Sequence, residues 1–272
     1  MSSHQIAYLR PEQILEEMQR CPVAYLPVGP LEWHGPHLPL GVDPLNAENA
    51  ALLASEQIGG LAFPTLYWGT ERERSSEMLD WLGLDRTSYI VGMDFPANSL
   101  PSLYCSEEIF SLVAREQINQ AARLGFRLIV VISGHAATNQ IDVLERLAAE
   151  FNGRKLVRVI VALPFVTNSQ GVMEVVHASR IETAVMQALH PQAVRLENLP
   201  PLPEPLRNVD WAVVDFQTFL GNPTPERTIH ANDDPRLADA EQGYKTIQRA
   251  VEQITRRVKH ELDLISNSSR ID

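Results

Sequence analysis

The sequence predicts a single three-layer α/β/α domain with a mostly parallel central sheet, and three observations carry that expectation. Short β-branched runs, VAYLPV, LIVVI and KLVRVIVA, alternate with longer stretches whose apolar residues recur at helical spacing. The first two runs end in Gly-containing polar loops, where a strand gives way to a helix. No Gly/Ser linker, composition break or internal repeat divides the 272 residues, so 1–272 reads as one domain.

The elements follow in order. The first strand is Val23–Val28; Gly29-Pro30 leads from it into LEWHGPHLPLGVD, and Pro44, at a first helical position, opens the helix PLNAENAALLASEQI, which Gly59-Gly60 closes. Residues 68–104, with GTERERS and FPANSLP, read mostly as loop, and ordered loops of such length are usually functional. A helix at 106–125 feeds a strand at 127–132, the loop SGHAATN, a helix at 140–151 and a strand at 155–162. The proline-rich LPPLPEPL, 199–206, reads as a surface connection. Asp234 before Pro235 is a cap, and the apolar spacing beyond it suits a long packed helix. Parallel strands are covered on both faces, so ligands are expected beyond their carboxyl ends.

Composition narrows the function. With 44% hydrophobic and 21% charged residues the chain is globular, which excludes disorder, collagen and coiled coil. Its 34 acidic against 23 basic residues, net −11, argue against nucleic acid or anionic lipid as partner and leave small neutral, cationic or metal-assisted ligands. No apolar run approaches the roughly 18 residues of a membrane span, and MSSHQIAYLRPEQ lacks a signal-peptide layout. Cys21 and Cys105 have no CxxC or His-paired spacing and read as two buried thiols in a reducing compartment, with one disulfide as the alternative; the expected location is the cytoplasm. Trp33, Trp68, Trp81 and Trp211 are candidates to line a substrate pocket or a subunit interface, with buried packing the expected place of each.

The densest group of metal-capable side chains is Glu32-Trp33-His34-Gly35-Pro36-His37, with Asp43 shortly after. In extended backbone, residues i and i+2 point the same way, which puts Glu32 and His34 on one side with Cα atoms roughly 6–7 Å apart. One ion or two adjacent ions fit there, and carboxylate with imidazole suits zinc, manganese or iron. Asp43 bridges if the loop folds back. A Glu and a His in a loop are more often simply solvated, but this loop leaves the carboxyl end of a strand, and His135 leaves the end of another. The bland reading of His135 is a turn histidine that caps a helix.

At this point the residues carry a resemblance. LPVGPLEWHGPHLPLGVD is similar to the signature of the creatininase (creatinine amidohydrolase) family, approximately PVGSxEQHGPHLPLxTD. In order, 67–72 sits where the family has YGxSxEH, Phe95-Pro96-Ala97-Asn98 where it has FPGT, Ser133-Gly134-His135 where it has NGH, and 177–183 where it has HAGxxETS. Residues 234–243 resemble the C-terminal GDPxxATxEKG, so the likeness spans most of the chain. It implies a metal centre, often of two ions, on Glu32, His34, Asp43 and His135, with Asp43 bridging, and a catalytic His177 and Glu182 close to the metals. The bland reading of Glu182 is a charge at a helix start. His37 is expected to structure the loop. The resemblance also implies a homo-oligomer, commonly a hexamer.

The departures from the family pattern bear on metal and substrate. Ser133 stands where the family usually has Asn, and Ala137 where creatininase has a metal-binding Glu, which leaves a second ion weakly held, absent or completed by Glu182. Glu71-Arg72 replaces Glu-His within the run Glu71-Arg72-Glu73-Arg74, and Arg72, Arg74 and Asn98 become candidate substrate-binding groups.

The expected activity is that of a metal-dependent hydrolase, one or two divalent ions per chain, zinc first with manganese or iron as alternatives. A bound ion makes water a nucleophile near neutral pH for attack on a carbonyl of a small polar substrate. His177 delivers a proton to the leaving group, and Glu182 orients it or ligates. Amide hydrolysis, cyclic or linear, is placed ahead of hydrolytic C–C ring opening of a cyclic polyol ketone such as a dehydro-inosose. A non-catalytic metal- or ligand-binding relative is the rival from another class. A nucleotide-dependent enzyme has little support, because no GxGxxG or GxxxxGK[ST] follows a strand.

Overall fold

The computed structural model describes residues 4–96, 98, 100–155, 157–166, 176–208, 213–214 and 232–268. Ala97, Leu156 and Trp211, which entered the sequence reading, lie outside them. The helices are α1 (Pro11–Arg20), α2 (Val42–Ile58), α3 (Ser76–Trp81), α4 (Glu107–Leu124), α5 (Thr138–Gly153), α6 (Arg180–Leu189) and α7 (Ala240–Ser268). The strands are β1 (Val23–Val28), β2 (Leu61–Ala62), β3 (Leu128–Ser133), β4 (Arg158–Ala162), β5 (Arg207–Asn208) and β6 (Val213–Val214). The central sheet has order β2-β1-β3-β4 and is parallel throughout; β5 and β6 form a separate antiparallel pair.

The strand composition explains the layering. All six residues of β1 and all six of β3 are buried, as expected for strands covered on both faces, and their alternate side chains feed two cores. Ala24, Leu26, Ile129, Val131 and Val159 meet Phe110, Ala114 and Ile118 of α4 and Val143, Leu144 and Leu147 of α5. Val23, Tyr25, Leu128, Val130 and Ile160 meet the alanine stripe Ala47, Ala50, Ala51 and Ala54 of α2 and Ile247, Val251, Ile254 and Val258 of α7. The helix ends follow their local chemistry. Ser106 Oγ accepts from the Ile109 N–H at 3.3 Å at the start of α4, and Gly125, at φ +101°, closes it in the left-handed region.

Several boundaries differ from the sequence reading. Helix α2 starts at Val42, two residues ahead of Pro44, so Asp43 lies inside its first turn. Pro44 needs no N–H there, which lets it sit within that turn as well as at its start. Helix α5 starts at Thr138, and β4 starts only at Arg158, after a turn through Arg154 and Lys155. Asp234 caps a short 3-10 turn, Pro235–Leu237, by accepting from the Arg236 N–H at 2.9 Å, while Asp239 accepts the first N–H groups of α7. Cys21 and Cys105 are both free thiols, which removes the disulfide alternative. Trp33 is buried edge-on against Phe95, whereas Trp68 is 43% exposed, contrary to the burial expected of it. Among the described residues of 68–104 there is one short helix, α3, capped by Ser75.

What positions the site is the β1–β3 pairing. Val28 is in register with Ser133, so the loops that follow the two strands leave the sheet side by side at its carboxyl edge.

Candidate metal centre

The loop after β1 is folded back on itself. The Glu32 N–H donates to the Leu40 carbonyl at 2.8 Å, and Gly35, at φ +77°, supplies the turn an L side chain would strain. This brings Asp43 beside Glu32 and His34. In the loop after β3, Ser133 Oγ donates to the His135 carbonyl at 2.6 Å and accepts from Gln140 Nε2 at 2.8 Å, so the residue that departs from the Asn pattern ties its own loop to α5.

Three carboxylates and three imidazoles converge. Asp43 sits at the centre, with Oδ1 3.3 Å from His34 Nε2 and Oδ2 3.2 Å from His135 Nδ1. Glu32 Oε2 lies 3.3 Å from His135 Nδ1, 3.5 Å from His177 Nδ1 and 3.9 Å from His34 Nε2. Glu182 Oε2 lies 3.8 Å from His34 Nε2 and accepts from the Ala178 N–H at 2.5 Å. Among the described residues the donor atoms form three overlapping groups, Glu32-Asp43-His135, His34-Asp43-Glu182 and Glu32-His34-His177.

The electrostatics favour a cation. Glu32, Asp43 and Glu182 are each at most 4% exposed, and burying charges without counter-charge costs several kcal/mol per ion. Burial pulls the His34 imidazolium down, but Glu182, Asp43 and Glu32 outweigh it and lift the ring to about 10. His135 is driven up for the same reason, against its burial, chiefly by Glu32. Burial raises Glu182 to about 7 against the pull of His34, and burial together with His34 lowers His177 to about 4. Glu32, although buried, is held well below the usual carboxylate range by His135, His177 and His34.

Hydrogen bonding also orients the ring of His34. His34 Nδ1 donates to the Glu32 carbonyl at 3.0 Å, which turns Nε2 toward the carboxylates. His34 Nε2 and Asp43 Oδ2 are buried with no hydrogen-bond partner, as atoms reserved for an ion would be. These residues fit a divalent cation of the oxygen- and nitrogen-seeking class.

A family model described as creatinine amidohydrolase matches residues 7–258. The chain belongs to the creatininase family. Among solved structures, a creatinine amidohydrolase (creatininase) superposes with TM-score 0.67 at 23% identity over 96% of this chain and 98% of that one. A zinc–zinc form of a creatininase variant gives 0.65 at 23%, covering 96% and 99%. A manganese creatininase gives 0.65 at 22% over the same shares, 96% and 99%. Identities of this size establish a shared fold. No curated protein sequence matches the chain.

Within the creatininase fold of this chain, a cavity of about 490 Å³ opens over the centre. Arg72 and Arg74 line it, together with Glu71, Met93 and Ala136 to Asn139 at the start of α5. Arg72 points outward and pairs with Glu107 at 2.8 Å, while Arg74 donates to the Gly92 carbonyl at 2.9 Å. Asn98 does not line the cavity: its Nδ2 donates to the Met93 carbonyl at 2.8 Å, so it shapes the loop instead of facing a substrate. His37 is buried with Nε2 3.0 Å from Thr183 Oγ1, the loop-structuring place expected of it.

Two site residues escaped the sequence reading. Tyr104 donates its hydroxyl to Glu32 Oε1, and Ser102 Oγ accepts from the Trp33 N–H at 3.0 Å. Both lie at the end of the long loop, and no spacing in the sequence links them to the ligand motif.

Proposed function

We propose that the protein is a metal-dependent hydrolase acting on a carbonyl of a small polar substrate, with cyclic or linear amide hydrolysis as the reaction. One observation carries the reading: the two oxygens of Asp43 face two different histidines, at 3.3 and 3.2 Å, which divides the donors into adjacent sets sharing one carboxylate. Glu32, Asp43 and His135 would hold one ion, and His34, Asp43 and Glu182 a second. Glu182 thereby supplies the carboxylate that Ala137 cannot. When bound, a divalent ion lowers the pKa of water to about 7 and polarises a carbonyl.

The protein's own groups supply the rest. His177 Nε2 donates to the Trp33 carbonyl at 2.8 Å, which fixes its proton there and leaves Nδ1 bare toward the cluster. With its pKa held low, the ring is a neutral base at pH 7, able to take a proton at Nδ1 and return it to a leaving nitrogen. The anchored Nε2 keeps the ring from turning away. Glu182, fixed by the Ala178 N–H, stays aimed at His34. Arg72, Arg74 and Glu71 on the cavity wall offer charge and hydrogen bonds to polar substituents, in a volume suited to a metabolite-sized molecule. The reading takes 1–272 as one hydrolase domain, cytoplasmic and homo-oligomeric; among the described residues no helix is long and apolar enough to cross a membrane.

The test is metal content per chain by mass spectrometry, for the wild type and Glu32→Ala purified without chelator or nickel resin, followed by a screen of lactams, formamides and keto-inositols. One or two divalent ions, reduced in the variant, with turnover of an amide, support the reading. Turnover of keto-inositols alone selects ring opening. Absence of metal after reconstitution with zinc or manganese sinks the hydrolase and leaves a binding protein.

A further inference from the structure

Glu32 uses its two oxygens differently. Oε2 faces the three histidines, whereas Oε1 accepts the hydroxyl of Tyr104. The direction of that bond is fixed chemically. The Met93 N–H, 3.3 Å from the phenol oxygen, can only donate to it, so the single phenol proton is left for the carboxylate. We propose that Tyr104 is a positioning residue that keeps Glu32 a one-oxygen ligand and so preserves an open coordination position at the Glu32-Asp43-His135 site.

Three elements hold the phenol where this requires it. The Leu103 N–H donates to the Leu31 carbonyl at 2.7 Å, and the Cys105 N–H to the Gly69 carbonyl at 2.9 Å, so the backbone on both sides of Tyr104 is pinned, one side directly beside Glu32. At Gly92, where φ is +53°, a Cβ would come within 2.6 Å of the phenol oxygen, so the absence of a side chain makes room for it. A carboxylate free of such a partner can turn both oxygens to a divalent ion and take up the place a reacting water or carbonyl needs. Hydrogen bonds to ligating carboxylates set their orientation, and their loss typically costs about 10–100-fold in metal affinity or activity.

The proposal rests on the reading of Glu32 as a metal ligand, and the experiment separates the two. The 272-residue protein is stripped and reloaded with cobalt(II), and the wild type is compared with Tyr104→Phe and Asn98→Ala by visible absorption and by competition with a chromophoric chelator. In Tyr104→Phe the d–d absorption should weaken, because the coordination number rises as the freed oxygen binds, and metal affinity should change by about 10–100-fold. Asn98→Ala loosens the same loop from the Met93 carbonyl without removing a partner of Tyr104 or of Glu32, and it should keep the wild-type spectrum. A wild type that binds cobalt beside a Tyr104→Phe protein of unchanged spectrum and affinity overturns the positioning role alone. The same spectral change in Asn98→Ala reduces Tyr104 to loop support and also overturns it. A wild type that takes up no cobalt overturns the metal reading and the proposal with it.

Discussion

Gly134 lies so close to Asp43 that a Cβ at position 134 would overlap the Asp43 carbonyl group. The end of β3 and the first turn of α2 thus meet backbone to backbone, and this contact brings His135 to the carboxylate of Asp43. Gly134→Ala is therefore expected to force the two loops apart, at a cost of about 1–3 kcal/mol of stability from overpacking and with loss of bound metal. Gly153→Ala, where a Cβ meets nothing within 4 Å, is the control and should leave the metal in place. Urea midpoints and metal content on both variants decide the matter.

His177→Ala should lower kcat by about 10²–10⁴ and leave metal content unchanged, because the role proposed for the ring is proton transfer at Nδ1. Loss of an ion in this variant would instead assign His177 to the third donor group, with Glu32 and His34.

Stability of the metal-free protein should fall as pH rises. His34 titrates at about 10 in the folded chain against an ordinary 6.5, so its contribution is complete below 6.5 and is lost as pH climbs through 10. Glu182, raised from 4.5 to about 7, acts in the same direction between those values. His177, lowered from 6.5 to about 4, acts oppositely and only on the acid side. Above pH 7 the decline is therefore the net expectation. A bound divalent ion replaces those protons, so zinc-loaded protein should show a flatter profile from pH 7 to 10. Urea midpoints that run parallel with and without zinc would contradict this.

Of the two arginines on the cavity wall, Arg74 is the half-buried one, held by the Gly92 carbonyl, and Arg72 is exposed and paired with Glu107. Arg74→Ala should raise KM for a polar substrate more than Arg72→Ala does. Arg72→Ala should leave the thermal midpoint where it is, because a solvent-screened ion pair contributes little. Equal effects of the two on KM would mean that substrate reaches the rim.

The sequence by itself determined the alternation of strands and helices, because apolar period and Gly-containing loops are local signals with local consequences. It also determined the ligand motif: Glu32 and His34 are two residues apart, so an extended backbone alone puts them on one side. The later members of the site followed only from their likeness to family motifs, since nothing local ties His135, His177 or Glu182 to that loop. Tertiary structure decided what distance along the chain conceals. The in-register pairing of Val28 with Ser133 set the loops that carry Glu32 and His135 side by side, and the folding-back of 32–40 placed Asp43 between His34 and His135. Tyr104 and Ser102 became part of the site, and Asn98 did not, because the long loop is held by hydrogen bonds to residues 31–33 and 92–94, a register that no periodicity encodes.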